Sequence, residues 1–300
     1  MNMYTTRKYN MNIKALFAAL SLVIILAACE DEPPNAYEPE PFIEGYMLVN
    51  EPIHGIRVFV SQPLDQAFSY TTGIVPDADV KVIGGGETYQ LDYREVDGVG
   101  EYYYPDTTVT TKEMTEYRLE VTLNDGTFLT GTTTTPKAIT WTIEPKATLQ
   151  YPADTVNLPT PDSLEIAWTP GNNSEWLIAV FSLDTLGYGK YLTPPTDEVN
   201  DRTNNLDFFE DPEIPQYYSN VRWGFLQSTR VPTVWTAFRW YGRNDVVVFA
   251  PDKAMLDWFK VTQFQGTAEY NEAFSNIEGG LGVFGSASRI KKEVFLLKWR

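Results

Sequence analysis

Residues 117–134 restrict the fold more than any other part of the sequence. Apolar and polar side chains alternate with a period of two over residues 117–123, as a half-buried β-strand requires. Asn124, Asp125 and Gly126 then supply the residues of a tight hairpin turn, and residues 128–134 return as the partner strand. This stretch therefore predicts an antiparallel β-sheet.

Shorter segments with the same alternation come before this hairpin. They lie at residues 56–60 and 78–82, and a run of three glycines at 84–86 permits a tight reversal into a further strand. No amphipathic helix interrupts the region. We therefore expect residues 42–137 to form one antiparallel β-sandwich domain.

A second β domain is expected over residues 138–300. Residues 163–170 place Leu164, Ile166 and Trp168 on one face of a strand, and they resemble the early tryptophan-bearing strand of fibronectin type III domains. A regular strand pattern resumes at residues 235–241 and 246–249. The expected fold is mainly all-β, with two antiparallel β-sandwich domains similar to immunoglobulin or fibronectin type III domains.

One short helix is expected near the carboxyl terminus. Pro251 and Asp252 form a helix start signal, and Met255, Trp258, Phe259 and Thr262 follow at helical spacing. This apolar stripe indicates packing against a core and not a cofactor site.

A long acidic loop interrupts the second domain at residues 193–220. Loops of this length in compact domains often carry function. Its aspartates could contact a ligand or Ca²⁺, whereas the alternative is a solvated insertion with no ligand; no EF-hand spacing is present. The candidate metal ligands are Asp197, Asp201, Asp207 and Asp211.

Aromatic side chains provide a second kind of candidate site. Trp223, Trp235 and Tyr241 could stack on sugars or other flat ligands. Core packing is the alternative for each of them. The sequence does not choose a small-molecule, glycan or peptide ligand.

No motif for catalysis is found. Gly280, Gly282 and Gly285 match the dinucleotide fingerprint in spacing, but a strand pattern and not a helix follows them. The lone His54 lies in a turn, and no nucleophile elbow or phosphate loop occurs. We expect no catalytic residue and no cofactor, although a pair of acids acting on a glycan or peptide stays open.

The amino-terminal region carries an export signal. Lys14 precedes an apolar run at residues 15–28 that is too short for a membrane-spanning helix of about 20 residues. Leu26, Ala27, Ala28 and Cys29 resemble the lipobox of bacterial lipoproteins. The resemblance implies that residues 1–28 are a signal peptide, read from Met1 or Met11, and that Cys29 is lipidated.

A tether is expected over residues 29–41. Glu30, Asp31 and Glu32 directly follow the cysteine and resemble the surface-export signal of Bacteroidota lipoproteins. Prolines then favour an extended spacer. These features imply a lipid anchor in the outer membrane and exposure at the cell surface, with a periplasm-facing position as the alternative.

The charge excludes one class of partner. The chain has 40 acidic and 23 basic residues, and removing the signal takes away Arg7, Lys8 and Lys14. The mature net charge is therefore about −20, and such a surface repels nucleic acid.

A family resemblance covers nearly the whole mature chain. Its most specific part is the glycine-rich segment 276–285, which reads Asn-Ile-Glu-Gly-Gly-Leu-Gly-Val-Phe-Gly, and the segments 43–45 and 78–80 add to it. Together with the lipobox they resemble a Bacteroidota lipoprotein family known as domain of unknown function 4249. The resemblance implies a non-enzymatic binding or accessory module beside a TonB-dependent nutrient receptor. A carboxylate-dependent surface hydrolase and an adhesion or matrix-assembly protein are the alternatives.

Overall fold

Strands predominate in the computed structural model of the chain, which describes residues 39–63, 69, 71–154, 157–184, 186–203, 220–264 and 274–299. The chain divides into two compact units, Met1–Pro39 with Pro63–Gln66 and Glu40–Gln62 with Ala67–Arg300. The first unit lies almost wholly outside the described residues, as do the lipobox, Cys29 and the acidic residues 30–32. Every described strand and helix belongs to the second unit.

The described residues form strands and one short α-helix. In chain order they are β1 (Pro41–Leu48), β2 (Arg57–Val60), β3 (Asp79–Gly84), β4 (Glu87–Gln90), β5 (Asp92–Val96), β6 (Val99–Tyr103), β7 (Glu116–Thr122), β8 (Phe128–Thr134), β9 (Trp141–Ile143), β10 (Thr148–Gln150), β11 (Glu165–Trp168), β12 (Trp176–Ser182), β13 (Val221–Leu226), β14 (Arg230–Pro232), β15 (Gly242–Pro251), α1 (Lys253–Phe259), β16 (Ile277–Glu278) and β17 (Leu281–Leu297). The fold is therefore mainly β with one short helix near the carboxyl terminus, as the sequence predicts.

Two hairpins form at the turn residues that the sequence indicates. β7 and β8 pair antiparallel, with Glu116 opposite Thr134, and Gly126 in their turn has a φ of 90°. Gly85 and Gly86 join β3 to β4 with φ values of 61° and 88°. Glycine adopts positive φ without the steric penalty of a Cβ atom. Both hairpin predictions are confirmed.

Strand β17 belongs to a sheet that joins distant parts of the chain. Its beginning pairs in parallel with β1, with Phe42 opposite Leu281. From Ala287 onward it pairs antiparallel with β15, and its end also pairs in parallel with β10. The sheet order is β13-β12-β15-β17-β1-β2, with β10 also beside β17. The sheet is thus mixed, whereas the strand pattern predicted antiparallel pairing alone. The sequence does not reveal the parallel pairs, because two parallel strands are not joined by a short turn.

The other described strands form three smaller sheets. They have the orders β16-β8-β7-β3-β4, β14-β11-β9 and β5-β6. A first core packs the five-stranded sheet against β1, β2 and β6, and includes Ile43, Val82 and Leu119, which are inaccessible to solvent. A second core lies between the large sheet and the three-stranded sheet. It contains Trp168 of β11, the tryptophan that the sequence placed on an inward strand face.

The predicted helix start is confirmed, and one predicted strand is wrong. Asp252 caps α1, with its carboxylate accepting the backbone N–H of Met255, and α1 continues into a π-helical turn at Lys260–Phe264. Met255 and Leu256 pack on the other face of the large sheet. Residues 235–241 do not form a strand, because Trp235–Ala237 makes a 3-10 turn that buries Trp235 in the second core.

Strand β17 contributes to both cores. Phe284 packs in the first core, whereas Val294 and Leu296 pack in the second. The predicted boundary between residues 137 and 138 separates most other members of the two cores in sequence. The division into two domains stays a prediction.

The glycine-rich segment 276–285 is a site of close backbone packing. Gly282 has a φ of 118°, and a Cβ atom there would overlap the carbonyl oxygen of Ile43 in β1. A Cβ at Gly285 would lie 2.9 Å from the Cβ of Met255 in α1. The segment therefore lets β17 approach β1 and α1 more closely than a side chain allows.

We predict that Gly282→Ala destabilises the fold far more than Gly126→Ala. Both positions have positive φ, which costs an alanine about 1–2 kcal/mol. Gly126 has no atom within 4 Å of an added Cβ, so its variant should lose only that amount. The clash with Ile43 should bring the loss at Gly282 to about 3 kcal/mol or more. Urea denaturation measures both losses, and equal values would contradict the packing role.

Candidate functional site

The aromatic candidates lie in two different places. Trp235 is 5% exposed in the second core, and its Nε1 donates a hydrogen bond of 2.6 Å to the carbonyl of Pro159. Tyr241 is half-buried, with its ring 5.4 Å from that of Tyr151. Tyr151 also contacts Trp235, so these two candidates share one aromatic cluster. They serve core packing there.

Trp223 lies on the opposite face of the large sheet. Its ring packs against those of Phe181, Phe249 and Phe259, with the Phe259 centroid 4.9 Å away. The structure therefore does not join Trp223 to the cluster of Trp235 and Tyr241.

The structure describes residues 193–203 and 220 of the acidic loop, and residues 184 and 186–191 of the segment that precedes it. Asp201 accepts a hydrogen bond of 2.7 Å from Lys298 Nζ, and Asp197 is exposed. Asp184 accepts from Lys190 and Tyr191, and from the N–H of Gly187, and these contacts lower its pKa, with the Lys190 contact contributing most. Asp207 and Asp211 lie outside the described residues. Among the residues that the structure does describe, no group of three or more metal-ligating side chains comes together.

A polar cleft lies beside the glycine-rich segment. It has a volume of about 450 Å³ and runs between strand β8 and helix α1. We call it the threonine cleft. Its polar lining includes Glu116, Thr132, Thr133, Thr134, Asp252, Asp257 and Asn276.

Asp252 anchors one wall of the threonine cleft. Its carboxylate accepts a hydrogen bond of 2.6 Å from Thr133 Oγ1 and one of 2.9 Å from the N–H of Met255. Ser286 Oγ lies 2.7 Å from Thr133 Oγ1 and 3.1 Å from the carbonyl oxygen of Thr134. Burial raises the pKa of Asp252 despite these contacts.

The hydroxyl contacts near Asp252 are compatible with a proton on its carboxyl group. Thr133 and Ser286 each carry one hydroxyl proton, but three short contacts connect Asp252, Thr133, Ser286 and Thr134. If Asp252 is protonated and donates to Thr133, then Thr133 can donate to Ser286 and Ser286 to the carbonyl of Thr134. All three contacts are then hydrogen bonds.

Asn276 closes the cleft at the start of the glycine-rich segment. Its Nδ2 donates to the carbonyl oxygens of Thr132 at 3.0 Å and Phe284 at 2.8 Å. Its Oδ1 accepts the N–H of Phe284 at 2.9 Å. This amide bridges strands β8 and β17 as a backbone group would, so it is a positioning residue for the cleft wall.

Three side chains of the cleft remain available to a ligand. Glu116, Thr132 and Thr134 lie on the outward face of β7 and β8, are exposed, and have no side-chain hydrogen bond to other described residues. Asp257, by contrast, is paired with Lys253. The sequence signal for this surface is the threonine run at residues 132–135. Threonines of this run line a cleft only because α1 lies beside β8.

We predict that Asp252→Asn changes the pH dependence of stability. The pKa of Asp252 is raised above its ordinary value of 3.8 in the folded protein. Its contribution to stability is therefore fully present below pH 3.8 and is lost as pH rises through the raised pKa. The free energy of unfolding of the wild type should therefore fall relative to that of the variant as pH rises above 3.8.

Urea denaturation across this pH range measures the difference. Asp125→Asn is a matched control, because a hydrogen bond from the N–H of Thr127 lowers the pKa of that exposed aspartate. Its contribution is present above pH 3.8 and is lost as pH falls, which is the opposite trend. A constant difference for Asp252→Asn would contradict the prediction.

Comparisons with known proteins add a family and no activity. No curated protein matches the chain. One similar solved structure belongs to a study of the host cell surface retention of a 1.5-MDa bacterial ice-binding adhesin. It is 9% identical, with a TM-score of 0.21 over 89% of this chain and 67% of that chain, and at this score the likeness carries no argument.

Among the described residues, no helix is both long enough and apolar enough to cross a membrane. The family model of a domain of unknown function, DUF4249, matches residues 34–293. This range covers most of the chain, from the proline-rich stretch to the end of the glycine-rich segment and beyond. The chain therefore belongs to the DUF4249 family.

Proposed function

We propose that this protein is a lipoprotein of the outer membrane, exposed at the cell surface, that acts as a non-enzymatic binding or accessory module beside a TonB-dependent nutrient receptor. This localisation is supported by the lipobox at residues 26–29 and by the acidic residues 30–32. The DUF4249 match supports the accessory role, because the family resemblance implies that role. Membership of Bacteroidota is part of the same proposal.

The start of the folded unit supports a short tether. Strand β1 begins at Pro41 and lies between β17 and β2 inside the large sheet. Glu40, the first residue of the folded unit, comes only 11 residues after Cys29, so the chain can reach at most about 40 Å. A lipid on Cys29 would therefore keep the folded unit close to the membrane surface.

The state of the carboxylates in the threonine cleft is the observation that favours binding over catalysis. The Asp252 carboxylate accepts hydrogen bonds from Thr133 and from the first turn of α1. The Asp257 carboxylate forms an ion pair with Lys253. Glu116 is the one cleft carboxylate without a partner among the described residues. Glycoside hydrolysis requires two acids that face the same bond. This arrangement suits a surface that presents polar groups to a ligand.

We also propose that the two cores belong to two β-sandwich domains, residues 42–137 and 138–300, similar to immunoglobulin or fibronectin type III domains. The two-layer packing of each core supports this. The inward Trp168 on β11 and its edge contact with Trp176 on β12 support the second domain in particular.

We predict that Cys29→Ala abolishes lipidation. Cells grown with labelled palmitate should incorporate label into the wild type and not into this variant. Asn35→Ala, a change in the same tether, is the control and should keep the label. Label that still enters Cys29→Ala would refute the assignment.

The accessory role has its own test. Cross-linking in intact cells followed by purification from solubilised outer membranes should recover a TonB-dependent receptor with the wild type. Repeated absence of any receptor would contradict this role. Turnover of a glycan or peptide by the purified protein would instead favour the hydrolase. If deletion of the gene reduces cell attachment and leaves growth on defined nutrients unchanged, the adhesion role would be favoured.

A further inference from the structure

A groove opens at one edge of the second core. It has a volume of about 260 Å³ and lies between the large sheet and the three-stranded sheet. Ile178, Val180 and Leu226 line it from β12 and β13, and Val231 and Ala237 line it from β14 and the 3-10 turn. We call it the edge groove. Its walls are mainly apolar side chains.

A glycine keeps the floor of the edge groove open. Gly224 pairs with Ile178 across β12 and β13, so both face the groove. A Cβ at Gly224 would lie 3.2 Å from Cγ2 of Ile178. The backbone conformation there is ordinary for any residue, because no positive φ is recorded at Gly224. The glycine therefore matters for space and not for backbone geometry.

Positive charge lies at the end of this apolar surface. Arg222 pairs with Val180 in the sheet register, lines the groove and is exposed. Within the part of the chain that the structure describes, its side chain makes no hydrogen bond or ion pair.

Two further arginines lie near Arg222. The pKa of Arg239 is lowered by its burial and then by the charges of Arg222 and Arg202. The Arg202 guanidinium lies 5.0 Å from the centre of the Trp240 ring. In a chain with a net charge of −17, Arg222 places an exposed positive charge beside the edge groove.

We propose that the edge groove binds a small amphipathic anion, whose aliphatic or aromatic body lies against Ile178 and Val180 and whose carboxylate pairs with Arg222. The guanidinium group suits a carboxylate because it offers two parallel N–H donors. The apolar walls disfavour a free inorganic anion, and the arginine favours an acid over a neutral apolar molecule. The volume is slightly below that of sites for drug-sized ligands, which indicates a short chain or a single ring system.

This inference deepens the proposed binding function and rests on it, since it assigns a ligand class to the module. It does not depend on the lipid. The binding experiment therefore uses the mature chain with Cys29→Ala, purified without detergent, because that residue lies outside the folded unit. Failure of binding would leave the palmitate and cross-linking results unaffected, so the two proposals fail separately.

The test is isothermal titration calorimetry with octanoate and octan-1-ol. We expect octanoate to bind at one saturable site and octan-1-ol, which has the same chain without the charge, to bind about tenfold more weakly. Arg222→Gln should weaken octanoate about tenfold and leave octan-1-ol unchanged. Arg230→Gln is the matched control, because Arg230 on β14 is paired with Glu165 on β11, and its loss should not affect either probe.

Gly224→Val tests the apolar part of the site. The added side chain should fill the floor and weaken both probes, and thermal denaturation establishes that this variant is folded. Equal affinities of octanoate and octan-1-ol, or an unchanged octanoate affinity in Arg222→Gln, would overturn the proposal. Phosphate binding as tight as octanoate binding, and unaffected by Gly224→Val, would also overturn it, because the arginines would then bind anions without the groove.

Discussion

Backbone pairing along β17 is the interaction on which the rest of the described unit depends. The strand hydrogen-bonds to β1 near its start and to β15 and β10 further on, so it joins segments that are more than 200 residues apart in sequence. Such pairing is possible only where the backbones come close. The glycine at 282 meets this requirement, because a Cβ there would overlap the carbonyl oxygen of Ile43. The most specific part of the family resemblance is thus explained by packing and not by chemistry.

Polar groups are buried where β17 passes β8 and the start of α1. Ser286, Ser288, Thr133 and Thr135 are almost inaccessible to solvent. Burial of a hydroxyl is costly unless it is hydrogen-bonded, and here each hydroxyl has a partner. Asp252 joins the same network and caps the helix. These contacts fix the position of α1 relative to β8, and that position creates the threonine cleft.

The distribution of charge divides the surface into regions with different preferences. The chain is strongly acidic overall, yet the exposed cation of Arg222 lines the edge groove. In the threonine cleft the carboxylates of Asp252 and Asp257 have internal partners, while exposed threonines face outward. Both surfaces are suited to hold a ligand. Their difference lies in chemistry, since one favours an amphipathic anion and the other offers hydroxyls and the carboxylate of Glu116.

The sequence by itself determined the local features. The hairpins at Asn124–Gly126 and at the glycines 85 and 86, the helix cap at Asp252 and the inward position of Trp168 follow from residue type and short-range spacing. The expected strand at residues 235–241 failed, because burial of Trp235 in the second core outweighs its strand preference. The parallel partners of β17, the threonine cleft and the edge groove were decided only by the tertiary structure. Each depends on contacts between residues far apart in the chain, and such contacts leave no periodic signal in the sequence.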